Sequence, residues 1–452
     1  MKSNTSYYDS SSNPSTTLVS VADNQVSNQT VTSYDGLGRT VETQSLNNTA
    51  DPVVDHVGYT EYTGDKTITV PPAGGVVAAT ITDALGNTTE LDQYNTAPTV
   101  ATGTTGGFTT VSVTGGTTSA TTYSFNSHGL PTSTTDADGD VWTTKYDFLG
   151  EATTNTDPDA GTSTTAYDPQ GRVWQTTDNA GDTTSFKYDA LGRKIAEYNG
   201  ADNNEIDYGT TGSNEIASWV YDNQNQVSGV TDAIGQLTTQ SAYTTAGVFA
   251  EQSLGFNAFG ESLGETYTVP GTTPVAGSYT YKSSYYPVTG LPKQNLIPAA
   301  GGMAQELTTT GYSVYESLDE PTSLNGLNGY AHNVSYNQWG QIAEVELGTT
   351  ASNAFVDNTY DPLTGALTNE AVKNTAVSST AMDQTSYTYD PSGNPTSIAE
   401  TRSGTATETQ CYNYDPLDRL TNAWTATGSC STTPTAANET TTVGDQITAD
   451  PG

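Results

Sequence analysis

Carboxylates dominate the chemistry this sequence could perform, and they come in close sets: DADGD at Asp136, Asp138 and Asp140, and DPDAG at 157–161. Glycoside hydrolysis needs two such groups flanking a sugar at a defined separation. Three acids within five residues could instead converge on calcium, although the glycine of DADGD stands fourth, whereas an EF-hand loop needs it sixth. Both readings weaken because the same acids recur at a regular interval, as turn-forming Asp does. Asp136, Asp138 and Asp140 therefore remain a weak calcium candidate beside an expectation of no catalytic residue, no cofactor and no other metal.

The remaining reactive residues point the same way. His56, His128 and His332 stand far apart, and no HExxH pair, G-x-S-x-G elbow, phosphate loop or dinucleotide fingerprint occurs. Five tryptophans could stack on sugars, but Trp142 and Trp219 share strand parity with nearby tyrosines, as packed residues do. Trp339, inside YNQWG, is the one expected at the surface as a sugar platform. The formal charge of −37, from 50 acidic against 13 basic residues, argues against binding a nucleic-acid backbone. No apolar run has the roughly 18 residues of a membrane span, and the opening MKSNTSYYDS holds no secretion signal.

One hexapeptide returns along the chain: Tyr34-Asp35…Gly38-Arg39, Tyr167-Asp168…Gly171-Arg172, Tyr188-Asp189…Gly192-Arg193, and Tyr414-Asp415…Arg419. Degenerate copies are Tyr146-Asp147…Gly150, Tyr221-Asp222, Tyr360-Asp361…Gly365, Tyr389-Asp390…Gly393 and a copy starting at Tyr336. The arginines recur with the motif, so they do one job in every unit. In so acidic a chain the expected partner is a carboxylate of the adjacent hairpin, bound by the planar guanidinium.

These motifs must sit on strands and turns. Tyr146, Tyr167 and Tyr188 are spaced by 21 residues, with Asp136, Asp157 and Asp178 each ten residues before the next Tyr. A unit then reads strand, turn, strand, turn, with legs of about six or seven residues. Asp accepts from backbone N–H groups two residues on, and Gly takes the positive φ that closes the hairpin. Phe186 with Tyr188, Trp219 with Tyr221, Tyr387 with Tyr389 and Tyr412 with Tyr414 lie two apart, on one strand face expected to be buried. Apolar residues including Tyr make up only 33%, too few for a thick core, so a repeat that grows by stacking fits the composition. The expected fold is all-β with negligible helix.

The recurring YD…G-R pattern, from about residue 30 to about 425, resembles the YD-repeat or RHS-repeat family of bacterial secreted proteins, whose animal relatives are the teneurins. The resemblance implies β-hairpins joined in one long, spiralling antiparallel sheet that forms a hollow shell. It implies a structural, non-enzymatic shell segment that encloses or displays a variable C-terminal effector of the polymorphic-toxin type. The partner would be the rest of its own polypeptide or an enclosed effector. An extracellular adhesive or carbohydrate-binding module is the alternative, with cell-surface glycans or proteins as partners. Location would be secreted or at the cell surface, as part of a longer precursor.

Against that pattern, the chain divides into an irregular segment at 1–30, repeats at 31–244, degenerate repeats at 245–330, repeats at 331–425, and a Thr-rich segment at 426–452 read as truncated. The shell is expected to be partial or open. Cys411 and Cys430 could bridge at the end of a hairpin, or stay free thiols if both lie mid-strand in a reducing compartment. Similarity to related repeats carrying a Cys pair around a YD…R…AWT segment, here YDPLDRLTNAWTATGSC, favours the disulfide.

Overall fold

The computed structural model describes residues 2–6, 15–20, 27–47, 54–200, 205–313, 319–349, 352–374, 381–426, 429–430 and 447–448. Among these residues there are 35 strands and no helix, and 33 of the strands belong to one antiparallel sheet. Strand follows strand in chain order, so nearly every neighbour in the sheet is a neighbour in sequence. Thr, Ser, Tyr and Val fill the strands, and turn residues interrupt them every five to ten residues, leaving no helical period to compete.

Turns alternate between two edges of the sheet. The YD turns lie on one edge, at 35–39, 147–151, 168–172, 189–193, 390–394 and 415–419, joined there by the turn at 83–87. Loops 71–77, 136–140, 158–160 and 178–182 lie on the far edge. The stretch 245–330, where the motifs degenerate, still supplies strands Gly247–Ser253, Gly264–Val269, Gly277–Tyr285, Pro292–Ile297 and Glu306–Tyr312 to the same sheet.

The aromatic face is half-covered rather than buried, because no second layer lies across most of the sheet. Phe186, Tyr188, Trp219 and Tyr221 are all half-buried. Tyr198, Thr238, Cys411, Ser185 and Ala79 are less than 2% exposed. A compact core forms at two places. Hairpin Thr99–Thr105/Phe108–Thr114 pairs only with itself and lies over the sheet, closing Ile68, Val77, Ala79 and Tyr94 under Val113. Near the other end Cys411, Trp424 and Ala426 pack together, and Cys411 is joined to Cys430 by a disulfide with Cα atoms 5.6 Å apart.

Candidate functional site

The repeated turn is the most developed polar arrangement in the molecule, and 189–193 shows its construction. Asp189 N–H donates to the Arg193 carbonyl and Gly192 N–H to the Asp189 carbonyl, both at 3.0 Å. Asp189 Oδ1 accepts from the N–H groups of Leu191 and Arg193, both at 2.9 Å. Gly192 has φ +82°, the left-handed value that follows a type I turn in a three-residue hairpin loop. Asp35, Asp83, Asp136, Asp147, Asp168, Asp178, Asp390 and Asp415 cap their turns in the same way. Hydrogen bonding favours the charged form: the Arg193 N–H foremost holds Asp189 below the usual carboxylate range, as the Ala160 N–H does Asp157.

Each YD turn is followed by a β-bulge. Tyr188 pairs with Lys194 and Lys187 with Ala196, leaving Ile195 extra; Tyr167 pairs with Val173 and Ala166 with Gln175. The first residue after the turn then offers its carbonyl to the next unit, and the motif tyrosine takes it. Tyr146 donates to Pro131 O at 2.7 Å, Tyr167 to Ala152 O at 2.9 Å, Tyr188 to Val173 O at 2.6 Å and Tyr414 to Pro395 O at 2.9 Å. Tyr336, Tyr360 and Tyr389 repeat this with Pro321, Ile342 and Leu367. Where the bulge residue is threonine, its hydroxyl donates across the hairpin, as Thr153 does to Lys145 O and Thr421 to Asn413 O. Sequence reasoning missed this tyrosine strut, because its acceptor is a backbone carbonyl that carries no residue signature.

The arginines correct one expectation. Arg39, Arg172, Arg193 and Arg419 pair with the aspartate of their own motif, four residues back across the tight turn. Only Arg193 among them also binds a carboxylate of the next turn, Asp222, at 2.6 and 3.2 Å. These two partners, Asp222 foremost, raise its pKa. Arg172 and Arg193 reach the following unit mainly by stacking, 4.7 Å over Tyr188 and 4.4 Å over Tyr221. Asp222 itself caps no five-residue turn. Residues 222–236 form one composite loop, in which Asp222 Oδ1 accepts from Gly235 N–H and Asp222, Asn223, Gln226 and Asp232 all have positive φ.

The calcium candidate is also corrected. Asp136 Oδ1 is committed to the N–H groups of Asp138 and Asp140, and no three metal-ligating side chains gather anywhere among the described residues. Trp339 is half-buried, not the exposed platform expected, at the tip of a turn that Asn337 caps by accepting from its backbone N–H.

A long-range contact completes the geometry. Ser392 Oγ approaches Ala73 O at 3.4 Å across 319 residues of sequence, so the YD edge of the late strands lies against the far edge of the early ones. A Cβ on Gly74, whose φ is +104°, would stand 2.3 Å from Asp390 Oδ2, so only glycine fits that junction. Clefts of about 350 and 260 Å³ run along this seam, the first lined by Gly74, Tyr94, Asp390 and Tyr414, the second by His56, Asp361 and Tyr389.

A sheet of chained hairpins that winds until its edges meet defines a class of repeat β-shell. Its fold is similar to that of solved Tc toxin chains. The crystal structure of TcdB2-TccC3 aligns at 16% identity with TM-score 0.65, covering 88% of this chain and 20% of that one. The TcdB2-TccC3-Cdc42 structure gives 16% identity, TM-score 0.64 and coverage of 88% and 19%. The Photorhabdus luminescens Tc holotoxin pore gives 14%, 0.61, and coverage of 90% and 24%. The chain thus spans about a fifth to a quarter of those solved chains. No curated protein matches the sequence. Residues 167–204 match the RHS Repeat family.

Proposed function

We propose that the chain is a structural segment of an RHS/YD shell that encloses or displays a variable effector, and that it performs no catalysis of its own. The observation that carries this reading is the seam: a single sheet returns on itself at Ser392 and Ala73, as a wall must. The turn acids that could have served catalysis are engaged in capping. Its partners on this reading are the rest of its polypeptide and the enclosed effector, and it acts outside the cell or at the cell surface. Limited proteolysis of the native polypeptide carrying this segment tests it. A protease-sensitive effector should survive while the wall is intact and be digested in the Gly74→Val variant, whose seam cannot close. Equal digestion in both would count against enclosure.

One observation favours a glycan-binding role as the second reading. Trp219, Gln240, Glu251 and Tyr267 face one another directly across four adjacent strands, beside a cleft of about 310 Å³ floored by Ala217 and Ala242. Aromatic faces at both ends with an amide and a carboxylate between them suit a neutral sugar chain. Binding of neutral oligosaccharides that Trp219→Ala removes would support it; a glycan array without signal would remove it.

A further inference from the structure

The turn that caps itself with Asp places the residue two positions later at its tip, and along the YD edge that residue is repeatedly apolar. Leu37, Leu85, Leu149 and Leu191 stand there, joined by Phe259 in the turn that Asn257 caps and Ile234 in the 222–236 loop, from 70% exposed at Leu149 to 92% at Ile234. Nothing in the turn requires this. The capping bonds use only backbone N–H groups, and Gln170 occupies the same position at 168–172. Six large apolar tips, interrupted by His128 and Gln170, place exposed apolar side chains along the length of one edge, of the kind that marks an interface.

The same edge already makes one interface within the chain. At the late turns it lies against the far edge of the early strands, where Asp390, Asp415 and Pro416 meet Gly74, Gly75 and Ala97. The tip residues there, Leu363 and Leu417, are half-buried. The exposed tips thus continue an edge whose other end is already occupied by the far edge of a winding.

The far edge beyond loop 71–77 has a matching character. Loops 136–140, 157–160 and 178–182 carry Asp138, Asp140, Asp159 and Asp182 with no lysine or arginine, whereas the YD turns carry Arg39, Arg172 and Arg193 between their apolar tips. Each of these arginines is paired to its own aspartate, but Arg193 also takes Asp222, so an arginine-bearing turn can hold a further acid from a loop, whereas two acidic edges would repel.

We propose that the exposed YD edge docks a second copy of this chain, head to tail, with the YD turns of one copy seated on the acidic far-edge loops of the next. The contact is heterologous: the two copies use different surfaces, so the association does not close at two and extends the spiral. The proposal rests on the fold and the seam alone, and holds whether or not anything is enclosed.

The net charge of −37 opposes association at low salt, so the test is made in about 0.15 M sodium chloride, where repulsion beyond ~8 Å is screened and contacts at the edge are not. Sedimentation of the wild-type chain there should show a weight-average mass rising with concentration to about twofold or more over the single chain. Leu37→Asp with Leu85→Asp should abolish the rise by disabling the YD edge. Asp138→Lys with Asp159→Lys should abolish it by disabling the far edge, since neither acid caps its turn. Mixed in equal amounts, the two disabled variants should form pairs and stop there, because each retains one working edge. A wild-type chain that stays single at every concentration overturns the proposal, as does association that survives in the YD-edge variant. Recovery of larger assemblies, or of none, in the mixture overturns the head-to-tail geometry. Unchanged far-ultraviolet spectra in both variants exclude unfolding, and Leu37→Ser with Leu85→Ser provides a milder version if the aspartates unfold it.

Discussion

The hydroxyl of the motif tyrosine links one hairpin to the next. A phenylalanine would fill the same half-buried place, but only tyrosine can donate to the carbonyl that the bulge leaves open. Tyr188→Phe should therefore lower stability by about 0.5 to 1.5 kcal/mol, the net worth of one hydrogen bond, read from the urea midpoint. Gly192→Val should be worse, because a β-branched residue at φ +82° is strained by about 1 to 3 kcal/mol, although a Cβ there would find only ordinary contacts. Among the arginines, Arg193→Ala should lower the midpoint more than Arg419→Ala. Arg193 joins two carboxylates and covers Tyr221, whereas Arg419 is 59% exposed and paired to its own aspartate. Equal midpoints for those two variants would mean that contact between units contributes nothing. The Asp cap and the Gly φ were legible in the sequence because both act within five residues. The arginine partner was misread, since repetition reveals that a residue has one role but not which of two nearby acids it meets.

Hairpins are nearly interchangeable here, and departures from the unit lie in the loops. The strands of 245–330 were hidden because their turns lost the YD signature while their alternating Tyr, Thr and Val persisted. The loop at 222–236 went the other way: the copy at Tyr221-Asp222 runs on through TDAIGQ as one long loop without a strand. Hairpin Thr99–Thr114 was not foreseen, as nothing in TVATGTTGGFTTVSVT tells a strand that joins the sheet from one that lies over it. In such a repeat each unit touches mainly its neighbours, so local changes should stay local. Closing a loop of 19 residues with a disulfide stabilises a chain by about 3 kcal/mol. Reduction of Cys411–Cys430 should accordingly speed amide exchange in Leu420–Thr425 and leave Val141–Asn199 unchanged. Exchange rising evenly along the sheet would show that the hairpins melt as one body.

At the scale of the whole molecule the acids act together. Like charges repel across a wide sheet, so melting temperature should rise between low salt and about 0.1 M sodium chloride, where screening acts over ~10 Å. Two groups of carboxylates then set the pH response. Glu215 and Glu344 have pKa values raised by burial first, so they favour the folded state as they protonate, and stability grows as pH falls from neutrality through their range. The pKa values of the capping aspartates such as Asp189 and Asp157 are lowered, so their contribution is present above the ordinary aspartate value of 3.8 and is lost as pH falls below it. A scan of melting temperature should find its maximum on the acid side of neutrality, then a steep loss below about pH 4. The meeting of the two edges was beyond sequence reading, since Ala73 and Ser392 are 319 residues apart and a Gly-Gly loop resembles any other turn. That meeting makes the sheet a wall. Its most direct test is Ala73→Cys with Ser392→Cys, oxidised at low protein concentration and mapped by peptide mass spectrometry. The winding predicts an intramolecular disulfide between the two introduced cysteines, with Cys411–Cys430 intact. Free thiols at both positions, or cross-links only between molecules, would contradict a sheet that returns on itself.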